Sequence, residues 1–170
     1  MIERKASVLM VLAGLAGGAT AQEGCSAPEF AALDFWVGEW EVFVGEQRVG
    51  TDRIEKILDG CAITESWTDA NGSEGRSLFW VRPAGGGWRQ VWVTGSATQP
   101  GGTKEKGMVE PAPGGGVRFQ GEVPLEGGGS YLDRTTLTPL GEGRVRQLIE
   151  ISTDGGRSWE VRFDAVYVQR

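Results

Sequence analysis

The sequence predicts an all-β protein: a single antiparallel up-and-down barrel of about ten strands, preceded by a short helical turn. Glycine makes up 28 of the 170 residues, well above its usual share of about 7%, and it gathers in turn-like clusters. The segments between the clusters are rich in β-branched and aromatic residues, which favour strands. Gly and Pro recur too often after the N-terminal region to allow long helices.

The N-terminal residues resemble a secretory signal peptide. Arg4 and Lys5 form a basic start, 6–15 is an apolar run, and Ala19-Thr20-Ala21 is a small-x-small cleavage site. The apolar run is too short to span a bilayer comfortably, although it could be retained as an anchor. We therefore expect residues 1–21 to be removed and 22–170 to form one exported domain, periplasmic or secreted.

The charge of the mature chain argues against two classes of partner. Cleavage removes Glu3, Arg4 and Lys5 from 23 acidic and 17 basic residues, which leaves a net charge of −7. Because the chain contains no run of Lys or Arg, we expect no nucleic-acid partner. An anionic membrane surface is disfavoured for the same reason, and we expect no stable membrane insertion after cleavage.

The two cysteines and the lack of histidine limit the chemistry. In an exported chain, Cys25 and Cys61 are expected to form a disulfide, the alternative being two free buried thiols. With no histidine, Ser-His-Asp and Cys-His catalysis are excluded, and the commonest zinc and haem ligand is missing. We expect neither a metal nor a cofactor, and we assign no catalytic residue on this basis.

The turn clusters recur about every 12 to 15 residues, which leaves roughly ten residues per strand. They lie at 45–46, 59–60, 71–72, 85–87, 100–102, 113–116, 127–129, 141–143 and 154–156. The clearest strands are predicted at 39–44, 61–68, 77–81, 88–93, 145–151 and 160–168, with a helical turn at 28–35. Nine turns imply ten strands in sequence order.

Ten consecutive antiparallel strands would expose two long edges in an open sheet. Closure into a barrel removes those edges, and a two-sheet sandwich is the alternative. A meander also returns the chain to the same end after two strands, so Cys25 and Cys61 are expected to meet there.

The segment 35–40 carries a Gly-x-Trp at the start of the first strand. In this feature the chain resembles the calycins, the group of barrels that includes lipocalins and fatty-acid-binding proteins. The resemblance implies that Trp40 packs across the barrel floor against an Arg from the last strand. Arg170 is the expected partner, through a cation–π contact, and the role of both residues would be structural.

A longer pattern covers nearly all of the mature chain. The segments 34–40, 63–67, 88–92 and 152–159 are together similar to an uncharacterised family of bacterial exported calycin-like domains. The resemblance implies a fold and a compartment, but no agreed activity, so it supplies no catalytic residues.

The segment 152–159 matches the Asp-box pattern Ser-x-Asp-x-Gly-x-x-Trp, which occurs in repeated copies in sialidase propellers. A single copy predicts a stabilised hairpin between strands nine and ten and not a sialidase. Asp154 is expected to hold the turn through backbone N–H groups while Trp159 packs beneath it. Few other carboxylates lie nearby in sequence to complete a calcium site.

Strand alternation predicts a ligand site inside the barrel. The chain has seven tryptophans, and they cannot all face water. Alternate residues share one face of a strand. By this rule, one strand directs Trp88, Gln90 and Trp92 into the interior, and another directs Glu65 and Trp67 there. A third strand contributes Gln147. With a register shifted by one residue, Thr64 and Ser66 would face inward and Glu65 would face solvent.

An inward Glu65 needs a partner or a shifted pKa, and Arg76 and Arg89 are the candidate charge partners. An aromatic interior with a few polar groups is typical of a small-molecule site. The leading hypothesis is an exported barrel that binds an apolar or amphipathic molecule. A carboxylate-dependent hydrolase or isomerase using Glu65 and Glu150 is one alternative, and a structural or protein-interaction domain with a filled core is the other.

Overall fold

The computed structural model describes residues 25–82, 86–99 and 101–170. It shows an all-β chain whose ten antiparallel strands close into one barrel, which confirms the predicted fold class and excludes the sandwich. The predicted signal peptide, 1–21, lies outside the described residues. Among those that the structure describes, no helix has the length and apolar character needed to cross a bilayer.

The strands follow one another in sequence order around the barrel, and β1 pairs with β10 to close it. Two 3₁₀ turns, Pro28–Ala31 and Asp34–Trp36, precede the first strand, where a helical turn was predicted. The strands are β1 Gly38–Val44, β2 Gln47–Ile57, β3 Ala62–Asp69, β4 Glu74–Val81, β5 Trp88–Thr94, β6 Thr103–Ala112, β7 Gly116–Pro124, β8 Ser130–Gly141, β9 Arg144–Ser152 and β10 Glu160–Gln169.

The glycine clusters lie between consecutive strands, as predicted. Gly45 illustrates the reason, because its φ of 58° lies in the left-handed region that glycine adopts without a steric penalty. A two-residue connection then joins β1 to β2. The clusters at 85–87 and 100–102 fall partly outside the described residues.

The disulfide joins the N-terminal segment to the start of β3. Cys25 and Cys61 are bonded, with their Cα atoms 4.8 Å apart. This pairing confirms the prediction that two strands of a meander return the chain to the same end. The bond anchors the 3₁₀ turns across that end of the barrel.

The same end is closed by an aromatic floor. Trp36 is 1% exposed and makes edge contacts with Phe79 and Tyr167, with ring centroids 5.6 and 6.2 Å apart. Trp40 donates its indole N–H to the Trp36 carbonyl at 2.9 Å and packs on Tyr167. Trp40 therefore lies in the floor, where the Gly-x-Trp pattern placed it.

Arg170 does not take the place expected for it. Its guanidinium lies 3.8 Å from the Glu41 carboxylate, and its side chain is 45% exposed, whereas Trp40 is buried. The backbone N–H of Arg170 continues the sheet by donating to Glu39. Arg170 follows the last residue of β10 and its side chain reaches the outer surface, so the aromatic partner of Trp40 is Tyr167.

Candidate functional site

Two carboxylic acids lie side by side inside the barrel. Asp52 on β2 and Glu65 on β3 are 3% and 4% exposed. Burial and the neighbouring Glu65 carboxylate raise the pKa of Asp52 to about 9. Burial also raises the pKa of Glu65, against the hydrogen bonds that it receives from Ser77 and Asp52. Because two adjacent buried carboxyl groups do not both ionise, the pair holds at least one proton at neutral pH.

A hydrogen-bonded network extends from this pair across the barrel. The Ser77 hydroxyl donates to Glu65, and the Gln90 amide donates to Ser77 at 3.1 Å. On the facing strands, the Tyr167 hydroxyl donates to Gln147 Oε1 at 3.1 Å and also interacts with Asp52. The inward prediction for Glu65, Gln90 and Gln147 therefore agrees with their burial.

One acceptor of the network lacks a donor. Gln90 Oε1 is a buried atom without a hydrogen-bond partner among the described residues. Unpaired buried acceptors are unfavourable, since they lose their hydrogen bonds to water without a replacement. The region between these strands therefore favours a donor, such as a donating group of a guest molecule.

An apolar cavity of about 230 Å³ lies above this network, toward the end of the barrel opposite the floor. Trp67 and Phe163 are in edge contact on one side of it, with ring centroids 6.4 Å apart. The cavity is lined by Trp67, Trp92, Gln147, Ile149, Phe163 and Tyr167.

Two strand glycines hold the cavity tryptophans in place. A Cβ atom at Gly50 would lie 2.6 Å from the Trp67 ring, and one at Gly75 would lie 2.1 Å from the Trp92 ring. Each indole therefore lies against a bare backbone in the neighbouring strand. A glycine in a strand interior commonly marks such a close approach.

The strand register places the acids next to these tryptophans. Asp52 is directly opposite Trp67 in the β2–β3 pairing, and Ser77 is directly opposite Trp92 in the β4–β5 pairing. Side chains of directly opposed residues lie on the same face, with Cβ atoms about 4.5–5.5 Å apart. The aromatic walls of the cavity and the buried acid pair are therefore adjacent layers.

A second cavity, of about 420 Å³, shares Ile149 with the first. Asp133, which is fully buried, forms ion pairs in its wall with Lys104 at 2.6 Å and with Lys106. Although burial opposes the change, the two lysine charges lower the pKa of Asp133. Burial lowers the pKa of Lys106, which also donates to Thr135 at 2.7 Å. The lysines thus form a basic side to the interior, across the barrel from Asp52.

Three sequence predictions about charge need correction. Glu150 does not join Glu65, because it forms a two-point ion pair with Arg134 at 2.7 and 3.1 Å. Arg76 is exposed and donates to the carbonyls of its own neighbourhood. Arg89 lies against Gly107 of the next strand, and its Nε has no hydrogen-bond partner within the described part of the chain. The cation that influences Glu65 is instead Lys106.

The Asp-box segment forms the expected hairpin between β9 and β10. Asp154 accepts hydrogen bonds from the backbone of Arg157 and Ser158 at 2.9 Å, and Ser152 donates to it at 2.7 Å. The Ser158 hydroxyl is the main reason why the pKa of Asp154 is lowered to about 2. Trp159 lies under the Arg134 guanidinium, 3.8 Å from the ring centroid.

The structure brings together five of the six residues predicted to contact a ligand. Trp67, Trp92 and Gln147 line the aromatic cavity, with Glu65 and Gln90 in the layer beneath. Trp88 lies apart, because its indole donates to the Glu29 carbonyl at 2.8 Å and packs on Phe30 at the floor. The sequence prediction missed Asp52, Lys106, Asp133 and Tyr167, together with Gly50 and Gly75.

A sequence signal for two of the missed residues exists in β2 and β4. Gly50, Asp52 and Ile54 alternate along β2, and Gly75 precedes Ser77 by one pleat. A glycine two residues before a polar residue, outside the turn clusters, is the pattern that marks these positions.

No protein-family model matches the chain, and a comparison with curated protein sequences finds no relative.

Proposed function

We propose that this barrel is an exported protein that binds a small amphipathic molecule at its open end. The observation that supports the proposal is the layered interior, in which an aromatic cavity of about 230 Å³ lies directly on a buried polar network. Such a layout suits a ligand with an apolar body and one polar group. The calycin resemblance of the sequence points in the same direction.

The size of the cavity favours binding over a filled structural core. An apolar cavity of about 150 Å³ is enough for benzene, and the second cavity of about 420 Å³ adjoins this one at Ile149. The glycine positions support the same view. Gly50 and Gly75 keep Trp67 and Trp92 pressed against the wall, where larger residues would push them into the lumen.

Export is part of the proposal. It is supported by the signal-like pattern at 1–21 and by the Cys25–Cys61 disulfide, since such bonds persist in oxidising compartments. The acidic net charge is consistent with a small-molecule ligand and not with a nucleic acid.

Acid–base catalysis is a second candidate function. The sequence suggested Glu65 and Glu150 for this chemistry; in the barrel the inward partner of Glu65 is Asp52, and the pKa values of both groups are raised. A carboxylic acid next to a carboxylate can donate and accept protons without histidine. A slow turnover of bound ligands that Glu65→Gln abolishes, with affinity retained, would support this candidate.

The binding proposal is tested by titrating the purified protein with 2-phenylethanol, a neutral arylalkyl probe, and measuring heat and tryptophan fluorescence. We expect saturable binding at one site, weakened at least tenfold by Trp67→Leu. Trp159→Leu is the matched control, because Trp159 packs on Arg134 in the hairpin, and it should leave the affinity unchanged. Binding that neither variant alters would place the probe elsewhere and contradict the proposal.

The native ligand is sought separately. The protein is purified under native conditions from its source, and its bound small molecules are identified by mass spectrometry. Recovery of one amphipathic compound in stoichiometric amount is expected. An empty protein from repeated preparations, together with no binding of 2-phenylethanol, would overturn the proposed function.

A further inference from the structure

Among the residues that the structure describes, no cationic side chain lines the aromatic cavity. Its lining consists of four aromatic residues, one isoleucine and one glutamine. The lysines of the interior lie on β6 and are held by Asp133 on β8, which is the other side of the barrel. A ligand in this cavity therefore meets ring faces and amide or hydroxyl groups before it meets any charge.

The nearest ionisable groups beneath the cavity are acidic. Burial raises the pKa of Glu65, and the hydrogen bonds from Ser77 and Asp52 oppose that rise. Asp52 lies directly opposite Trp67, so a cation held in the cavity would favour the ionised form of the acid pair. Five ionisable Asp, Glu and Lys side chains of the described residues face the interior: Asp52, Glu65, Lys104, Lys106 and Asp133. Lys106 is the cation that acts on Glu65, and its charge is paired with Asp133.

The hydrogen bonding of this layer also favours a donor. Gln90 Oε1 is a buried acceptor with no donor among the described residues, in a side chain that is 8% exposed. It belongs to the network that begins one layer below Trp67 and Trp92. A guest that brings hydrogen-bond donors and positive charge would therefore suit this layer better than an anion.

Aromatic faces complete the argument. A cation over the face of Trp, Tyr or Phe is attracted by the negative face of the ring, and groups of such rings are used to recognise organic ammonium ions. We propose that the aromatic cavity binds the ammonium group of an organic amine, with Trp67, Trp92 and Phe163 around it and the Asp52–Glu65 pair beneath it. This inference rests on the proposed binding function and specifies the polar group of the ligand.

The test uses three probes that share a phenyl ring and differ in the head group: 2-phenylethylamine, 2-phenylethanol and 3-phenylpropionate. Affinities are measured by calorimetry at pH 7, where the amine is a cation and the acid an anion. We expect the amine to bind at least about tenfold more tightly than the alcohol, and the propionate to bind most weakly.

Two variants of the acid pair separate charge from packing. Glu65→Gln removes the carboxyl group that a bound cation would ionise, so the amine and the alcohol should bind within about twofold of each other. Asp52→Asn keeps that carboxyl group, and its amide can still donate to Glu65, so the preference for the amine should remain. Glu150→Gln is the control for an outward carboxylate, which pairs with Arg134, and should change nothing.

The affinity for 2-phenylethanol reports whether each variant retains its cavity. If Glu65→Gln does not fold, Trp67→Leu replaces it, and the amine should then lose more affinity than the alcohol. Equal affinities for amine and alcohol in the wild-type protein, or an amine preference that survives Glu65→Gln, would overturn the ammonium site while leaving the binding function intact. Binding of none of the three probes would instead overturn the proposed function.

Discussion

Asp52 is the residue whose burial is most unfavourable in this barrel. Its carboxyl group is removed from water and placed against a second acid, Glu65. A barrel selected for stability alone would have an apolar residue here, since well-packed apolar residues are often equal or better replacements for buried ionisable groups. Two acids at one depth, beside two tryptophans, are the feature on which the proposed binding site rests.

The raised pKa of Asp52 predicts how stability depends on pH. A carboxyl group with a pKa of 3.8 in the unfolded chain and about 9 in the barrel binds its proton more tightly when folded. Its contribution is fully present below pH 3.8 and declines as the pH rises toward 9. We expect Asp52→Asn to be more stable than the wild type at pH 9, by about 1–3 kcal/mol, and the difference to shrink toward pH 4.

Urea unfolding at pH 4, 7 and 9 measures this difference. The comparison between variant and wild type cancels the titration of other groups, including Lys106, whose own pKa is lowered by burial. A difference that is constant from pH 4 to pH 9 would show that Asp52 titrates as an ordinary exposed acid.

Gly75 predicts a second effect of a single residue. An alanine methyl group would lie 2.1 Å from the Trp92 ring, so the indole must move into the cavity. We expect Gly75→Ala to lower the free energy of unfolding by about 1–3 kcal/mol and to weaken 2-phenylethanol binding. Gly95→Ala is the control, because its methyl group would meet no atom within 4 Å. Unchanged binding in Gly75→Ala would show that Trp92 does not shape the site.

The hairpin between β9 and β10 is an element stabilised by one carboxylate. Asp154 accepts four hydrogen bonds within its own turn, from Ser152, Arg157 and Ser158, and these keep β9 and β10 in register above the barrel mouth. The turn also positions Trp159 under Arg134, which ties the hairpin to β8.

We expect Asp154→Ala to lower the Tm at pH 7, because the turn loses these bonds. With a pKa of about 2 in the folded state, below its unfolded value of 3.8, Asp154 contributes its stability above pH 3.8. That contribution is lost as the pH falls through about 2. Thermal unfolding followed by circular dichroism at pH 7 and pH 2 should show the difference at the higher pH only. An equal difference at both values would mean that the carboxylate charge is not responsible.

The strands were predictable because turns are local. A glycine cluster fixes its own hairpin, and alternation within one strand correctly placed Gln90 and Trp92 on a common face. Glu150 could have been excluded in the same way, since it lies three residues from the inward Gln147 and must therefore face outward.

Depth along the barrel was not predictable in the same way. Trp88 and Trp92 share a face of β5, but Trp88 lies at the floor and Trp92, four positions later, lies near the mouth. The depth of each residue depends on the stagger of all ten strands, which one strand's sequence does not contain. Glu65 meets Asp52 because of the register between β2 and β3. That register cannot be predicted from the sequence of β3 alone. The position of Arg170 depended on how far β10 extends past Trp40.

The disulfide stabilises the molecule as a whole by linking the N-terminal segment to β3. It closes a loop with a sequence separation of 36 residues, for which the chain-entropy model gives about 3–4 kcal/mol. We expect the double variant Cys25→Ser, Cys61→Ser to lose that amount in urea unfolding, with a larger m-value, because the unlinked unfolded chain exposes more surface. The wild type in reducing agent should match it, and a reduced wild type as stable as the oxidised form would contradict this role.

The whole barrel combines a closed floor with a hollow upper half. Trp36 and Trp40 fill the lower end, where a ligand has no room. Tyr167 packs on both of them and extends through the polar layer to the lining of the aromatic cavity. This division explains why a small barrel with so many tryptophans retains free volume.

A crystal structure of the protein with 2-phenylethanol tests the central claim most directly. We predict density for the phenyl ring among Trp67, Trp92 and Phe163, with its hydroxyl directed toward Gln147 and Tyr167. A cavity filled by Trp67 and Trp92 themselves, or a probe bound only on the outer surface, would contradict it.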